Sequence, residues 1–398
     1  MNSKFNLLIL TFFLTQGITT ICKHSYVAGS KKVIAILEDE KWWGGAVCDG
    51  PNMPFTSGKL VYDQKSNCKD NQAAPLFISS KGRFIWSEKP LNIEITKTSI
   101  SFDGKGGDVI SGKNGSSLKE VFLQASKQFF APSGKTPDPL MFTNPQYNTW
   151  IELQYNQNET DILKYAQAII ENGFPPGVLM IDDNWQTRYG TWKFDCEKFT
   201  NPKGMIEKLH AMGFKVMLWV VPFVSSDSPI YRKLAAQKML LFDNPEKTRA
   251  DSVRWWNGVS GLLDLSNHES DKWFREQLAN LVKDYGVDGF KLDAGDPCLY
   301  LGTYSLKDFS PNDHCEAYAK IGLSFRLNEL RACWKMAGQP LVERLRDKAH
   351  SWDDVRVLIP DMIGLGMIGH QFGCPDLIGG GEFTSFQDNS IMDEELVV

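Results

Sequence analysis

The feature of this chain that most limits its fold is a change of rhythm at about residue 139. Beyond it, short apolar runs alternate with one-faced amphipathic stretches: "TWIELQ" before "TDILKYAQAIIENG", "GVLMIDDNW" before "NPKGMIEKLHAMG", then "FKVMLWVVPF", and "ESDKWFREQLANLVKDYG" leading into "VDGFKLDAGD". The stretch "NDHCEAYAKIGLSFRLNELRACWKMAG" then leads to "QPLVERLRD", "DDVRVLIPDMIGLGMIG" and "FGCPDLIGG". Helix limits are marked: Thr160 caps and Gly173 stops one helix. Asn201 caps the next, with Pro202 in its first turn, Met205, Ile206, Leu209 and Met212 on one face and Gly213 at its end. Repeated strand–helix units predict a parallel sheet with right-handed crossovers, closed as a barrel or open and doubly wound. Before residue 131 the period is 2, clearest in "LNIEITKTSISF", with Gly, Pro, Asn and Asp between short strands, which predicts an antiparallel β domain. The chain thus divides into a β domain over 23–135, a linker within "APSGKTPDP", and an α/β domain over 140–398.

The stretch "GFKLDAGDP" (289–297) carries the chemistry. Side chains alternate along a strand, so Lys291 and Asp293 share the face opposite Phe290 and Leu292. Burying two charges costs several kcal/mol and brings little net stability, so the pair suggests function over structure. Asp182 and Asp183, Asp293, Arg344 with Asp347, and Asp376 all fall at the carboxyl ends of predicted strands, where barrel enzymes assemble their sites. That distribution favours the barrel. No G-x-G-x-x-G follows the first strand, so a dinucleotide fold has no support.

Composition narrows the function classes. A formal net charge of -5 with no long basic run gives nucleic acid no footing as a partner. The segment Phe5–Leu14 is apolar behind a single lysine, a secretory signal pattern over residues 1–22, and is too short to span a bilayer, which needs about 20 residues. A secreted or lumenal location follows as an expectation, with a signal anchor as the alternative. Eight cysteines suit an oxidising compartment, Cys48 with Cys68 being the expected bridge, and Asn114 in "NGS" and Asn158 in "NET" are glycosylation acceptors. No C-x-x-C or cysteine–histidine cluster is visible in the sequence, so no metal and no cofactor is expected.

Several carboxylates at one mouth, with Lys and Arg among them, suit acid/base and covalent chemistry at a sugar carbon. One carboxylate attacks the anomeric centre while a protonated acid serves the leaving oxygen. The nucleophile must stay ionised, which a neighbouring ammonium such as Lys291 favours. Asp293, fixed on a strand beside a cation, is the best nucleophile candidate. Chemistry alone leaves the acid open.

The ordered motifs "VLMIDDNWQTRYGTWKFDCEKFTNPKGMIEKLHAMGFKVMLWVVPF", "GFKLDAGDP" and "PDLIGG" resemble glycoside hydrolase family 31 over roughly 140–385, and the β domain, with "WWGG" and "PLFISSKGRFIW", is similar to a shortened form of that family's N-terminal sandwich. The resemblance implies a (β/α)8 TIM-type barrel behind a β-sandwich-like domain and a retaining α-glycosidase with a carbohydrate substrate. On it, Asp293 matches the nucleophile, Lys291 the lysine beside it, Asp347 the acid/base and Arg344 the arginine just upstream. It makes Asp182 and Asp183 ligands of sugar hydroxyls, Trp185 and Trp219 walls of the subsite, and Asp376 the aspartate after the seventh strand. Trp42 and Trp43 are expected to reach the site from the β domain. His350 and His370 match nothing in the motifs and are read as structural or exposed. Asp296 stands where the branch it resembles carries glutamate. That branch makes an α-galactoside the first expected substrate and an α-glucoside the second. The family continues past "MDEELVV" into an eighth strand, so the expectation is seven strands and a chain incomplete at its C-terminus. The alternative is an inactive relative that binds glycans or proteins.

Overall fold

The computed structural model describes residues 25–28, 31–55, 60–67, 69, 71–104, 108–387 and 392–397. The signal pattern, Cys22 and Cys68 lie outside them. No disulfide joins the described cysteines, and no described helix is long and apolar enough to cross a membrane.

The period-2 region forms two antiparallel sheets. One runs in the order Lys32–Ala35, Ser99–Gly104, Leu91–Ile95, Leu60–Asp63. In the other, Asp108–Lys113 pairs Arg83–Ser87, which pairs Gln72–Ser79, and Trp42–Ala46 joins the last of these. The buried beat of "LNIEITKTSISF" is as expected: Leu91, Ile93, Ile95, Ile100 and Phe102 fill the space between the sheets with Trp42, Phe77 and Ile85. The outer face of the second sheet is covered by the helix Leu118–Phe129 and by Leu345, Leu365 and Ile368 from the α/β half, so the two halves share a core.

The α/β half is a curled parallel sheet of seven strands in sequence order: β1 (Gln146–Asn148), β2 (Val178–Ile181), β3 (Lys215–Val220), β4 (Gly289–Leu292), β5 (Leu327–Leu330), β6 (Glu343–Arg344) and β7 (Gly373–Cys374). Helices pack outside it: α1 (Glu159–Glu171), α2 (Pro202–Ala211), α3 (His268–Tyr285), α4 (Pro311–Gly322) and α5 (Trp352–Met367). Asn201 caps α2 as expected, accepting from Gly204 N at 3.0 Å, and Met205, Ile206 and Leu209 are buried.

Two local expectations need correction. "TWIELQ" is not a strand: the strand is "QYN", and Trp150–Leu153 forms a helical turn after it. The cap of α1 is Asn158 in place of Thr160, its side chain accepting from Asp161 N at 2.9 Å. In the stretch before "QPLVERLRD", α4 stops at Gly322 and "LNEL" enters the sheet as β5, which brings the strands to the expected seven.

The register sets the barrel interior. Trp219 on β3, Lys291 on β4 and Glu329 on β5 lie opposite one another, so all three point inward, while Leu218 and Phe290 point out among the helices. One position back by the same alternation, Met180, Met217, Leu327 and Val342 close the bottom of the barrel with an apolar plug.

Candidate active site

Above the plug the inward side chains become charged and line an open cavity of about 450 Å3 at the carboxyl ends of the strands. Asp182, Asp183, Trp219, Lys291, Asp293, Arg344, Asp347 and Asp376, all singled out in the sequence, lie on its wall.

Asp293 follows directly on β4, its amide donating to Val220 O at 2.9 Å. One carboxylate oxygen accepts from Trp219 Nε1 at 2.8 Å and the other from Ala294 N at 2.9 Å. The turn that presents it is tight. Ala294 adopts φ 56 and Gly295 φ 79, and a Cβ on Gly295 would meet the Tyr318 ring at 2.4 Å, so only glycine fits there. Burial alone would raise the pKa of Asp293. Arg331, Arg344 and Lys291, with the Trp219 hydrogen bond, override it and hold the carboxyl down at about 2. The cations facing Asp293 are thus chiefly guanidiniums: Arg331 Nη1 lies 3.9 Å and Arg344 Nη2 3.8 Å from Oδ1.

Lys291, expected as that cation, makes its short contact elsewhere: Nζ donates to Asp182 Oδ2 at 2.7 Å, and Asn148 Nδ2 donates to the same oxygen at 2.8 Å. Burial opposes the ammonium, but Asp182 more than offsets it and keeps the lysine charged. Asp183 differs from its neighbour. It accepts from Tyr189 Oη at 3.0 Å and from Asn257 Nδ2, and burial together with the Asp182 charge pushes its carboxyl up to about 7.

Arg344 is the hub of the opposite wall. Nη1 donates to Asp347 Oδ1 at 2.5 Å and to Asp376 Oδ1 at 3.2 Å, and Nε lies 3.4 Å from Glu329 Oε1. Asp347 is 43% exposed, the most open of these carboxyls, and faces the cavity. Asp376 takes a left-handed conformation at φ 80 and accepts from Lys348 N at 3.2 Å, which ties the loop after β7 to the loop that carries Asp347. Burial raises its pKa against the pull of Arg344.

The three other predicted tryptophans are not in the cavity. Trp185 is fully buried among the helices, its ring on Phe194 and its Nε1 donating to Trp219 O at 2.8 Å, so it supports Trp219 from behind. Trp43 pairs across to Ile78 and packs between the second sheet and its covering helices, and Trp42 lies between the two sheets. Neither reaches the site. Of the histidines, His350 bonds Gly379 O at 2.7 Å, and His370 is buried away from the cavity.

Sequence reasoning missed Arg331, which stands at the end of β5 between Asp293 and Asp347, 3.9 Å from an oxygen of each. Its guanidinium lies 5.1 Å from the ring centroid of Trp256 and its Nε 3.5 Å from Asp296, which places Asp296 as its anchor. Trp150, Tyr155, Trp256 and Phe383 complete an aromatic rim. The position of Arg331 one residue past the strand "LNEL" was the available signal.

Residues 139–325 match the model of the glycosyl hydrolases family 31 TIM-barrel domain. The barrel half is a family 31 glycoside hydrolase domain. The mouse myogenesis-regulating glycosidase is 30% identical over 277 residues, covering 67% of this chain and 38% of its own length. The α-xylosidase XylQ of Lactiplantibacillus pentosus is 25% identical, covering 56% of this chain and 29% of its own. Among solved structures, the family 31 dextranase of Flavobacterium johnsoniae complexed with glucose superposes with a TM-score of 0.76 at 18% identity, covering 89% of this chain and 48% of that one. The family 31 fold therefore extends across the β domain as well, and the chain spans less than half the length of these relatives.

Proposed function

We propose that the chain carries the catalytic barrel of a retaining α-glycosidase that removes a terminal α-linked sugar. The observation that carries this reading is the pair Asp293 and Asp347: one carboxylate buried and held ionised, the other open to the cavity, both reached by Arg331 and Arg344. Asp293 attacks the anomeric carbon and the C–O bond to the leaving group breaks as Asp347 delivers its proton to that oxygen. Asp347 then takes a proton from water, which displaces Asp293 and restores both groups. Trp219 and the two arginines spread the charge that Asp293 gives up and regains. Asp182, Lys291 and Asp183 offer acceptors and a donor for the sugar's hydroxyls, and the aromatic rim receives the apolar face of a ring.

The first substrates to test are α-galactosides, followed by α-glucosides and, from the activity named for XylQ, α-xylosides. In this reading the Phe5–Leu14 segment directs the chain to the secretory lumen. The experiment is incubation with 2-deoxy-2-fluoroglycosyl fluorides of the three sugars, followed by peptide mapping. A label on the peptide containing Asp293 supports the assignment. Saturable sugar binding with no label, unchanged in Asp293→Asn, would sink it in favour of a glycan-binding relative.

A further inference from the structure

A second cluster lies at the seam between the β domain and the barrel, outside the cavity. One ligand-type atom each from Cys333, Glu343 and His370 lie within 4.8 Å of one another. The three come from separate segments: Cys333 from the strand Cys333–Trp334 that pairs in parallel with Gln72–Ala73, Glu343 from β6, and His370 from the turn after α5. All are buried, Cys333 and Glu343 completely and His370 to 6% exposure. The Glu343 carboxyl contacts the Cys333 thiol and the Gln72 amide without closing a well-formed hydrogen bond, and Nε2 of His370 has no partner among the described residues. Gln72 sits opposite Cys333 and beside Glu343. Its Nε2 donates to Arg331 O at 3.0 Å and to Arg344 O at 2.8 Å, while its Oε1 is likewise unpartnered.

Poorly satisfied polar groups gathered in one dry place are unusual, since each costs about 1–3 kcal/mol unless something supplies a better partner. We propose that Cys333, Glu343 and His370 bind one divalent transition-metal ion, zinc by the chemistry of the set, with the Gln72 side-chain carbonyl as the fourth ligand.

Size and charge both fit. Bonds of 2.0–2.3 Å in a tetrahedron leave ligand atoms about 3.3–3.8 Å apart. His370 Nδ1 and Glu343 Oε1 are already 3.7 Å apart and the three ligand atoms lie within 4.8 Å of one another, so closure needs movements of about 1 Å, with the imidazole exchanging its contact to the Lys335 carbonyl for the metal. A thiolate and a carboxylate together balance a dication, so the loaded site adds no net charge to the core. Thiolate and imidazole ligands select against calcium and magnesium, which take oxygen. With every ligand from the protein, the site is structural: it would rivet the β domain to the strand whose next residue is Arg344.

The test uses the whole purified chain, stripped with a chelator and dialysed, then supplied with cobalt(II) or zinc. The expected result is one zinc per chain retained through dialysis, a higher thermal midpoint on zinc addition, and a thiolate-to-cobalt charge-transfer band with the visible d–d bands of a tetrahedral site. Cys333→Ser abolishes the charge-transfer band, and His370→Ala reduces retained zinc from one per chain to none. The cobalt and zinc measurements on the unaltered chain decide the matter even if both variants fail to fold. No retained zinc, no band and an unmoved thermal midpoint would overturn the proposal and leave a neutral hydrogen-bonded cluster. A charge-transfer band that persists in Cys333→Ser would overturn it by placing the metal on another cysteine.

Discussion

The lower and upper halves of the barrel interior are built on the same strands and have opposite characters. Met180, Met217, Leu327 and Val342 interlock in the lower half. Two residues further along each strand stand Asp182, Trp219, Glu329 and Arg344. The strand period of 2 keeps both sets pointing inward, so one register serves packing below and chemistry above. Stability and reactivity are therefore separated by about one pair of residues along the strand, a distance of roughly 7 Å. The upper half is polar at a cost, and the dense lower half keeps it in place.

That division can be broken from either end. Asp293→Asn removes the proposed nucleophile while leaving the shape intact, and should lower kcat by about 10^4-fold or more with little change in the thermal midpoint, as read by steady-state kinetics and calorimetry. Asp347→Asn should lower turnover by about 10^2- to 10^4-fold on substrates with a poor leaving group, and far less on aryl glycosides whose leaving group departs without a proton. Equal losses on both would show that Asp347 is not the acid. In the lower half, Met217→Ala should cost about 2–5 kcal/mol of stability in denaturant titration and leave the kcat of the folded fraction close to the parent value. A large loss of kcat at full folding would break the separation of the two halves.

A last test, on Asp183, should leave the chemistry above and the plug below in place and change only the pH dependence of stability. Its carboxyl is raised in the folded state from the ordinary 3.8 to about 7, so the folded chain holds a proton that the unfolded chain has released over that range. Stability from this group therefore falls as pH rises from 3.8 to about 7, by at most about 1.4 kcal/mol per pH unit, and levels off above it. Asp183→Asn should remove that slope, so that its stability relative to the parent climbs across the same interval in denaturant titrations run at several pH values. An unchanged difference would mean that Tyr189 and Asn257 stabilise the carboxylate fully.

Much of this architecture was legible because its signals are local. The caps and apolar faces of the helices reveal strand–helix units, and a strand that alternates Phe290 and Leu292 with Lys291 and Asp293 reveals an inward charged face. The misses share one cause: the deciding contact is long-range. "LNEL" lacks an apolar run because Asn328 is spent on structure, accepting from Val342 N at 3.0 Å and donating to Phe325 O at 2.8 Å, so nothing local marks Arg331 as the residue that enters the cavity. Trp256 and Asn257 arrive from the hairpin of Val253–Trp255 and Gly258–Leu262, whose sequence says nothing about where it folds. Trp185 follows Asp183 closely and reads as part of the site, yet the chain turns at Asn184, with φ 73, and sends the indole inward to the core.

The pairing of Cys333–Trp334 with Gln72–Ala73 has a consequence for how the molecule opens. Asn71 and Gln72 donate from their side chains to the main-chain carbonyls of both Arg331 and Arg344, the two arginines that flank Asp293 and Asp347. Hydrogen exchange at the amides around 331–334 then requires the same rare fluctuation that frees residues 71–73, so protection in the β domain and at the back of the pocket should rise and fall together. The first domain is in this sense a part of the enzyme's scaffold, and a barrel prepared without it would hold its arginines by one side only.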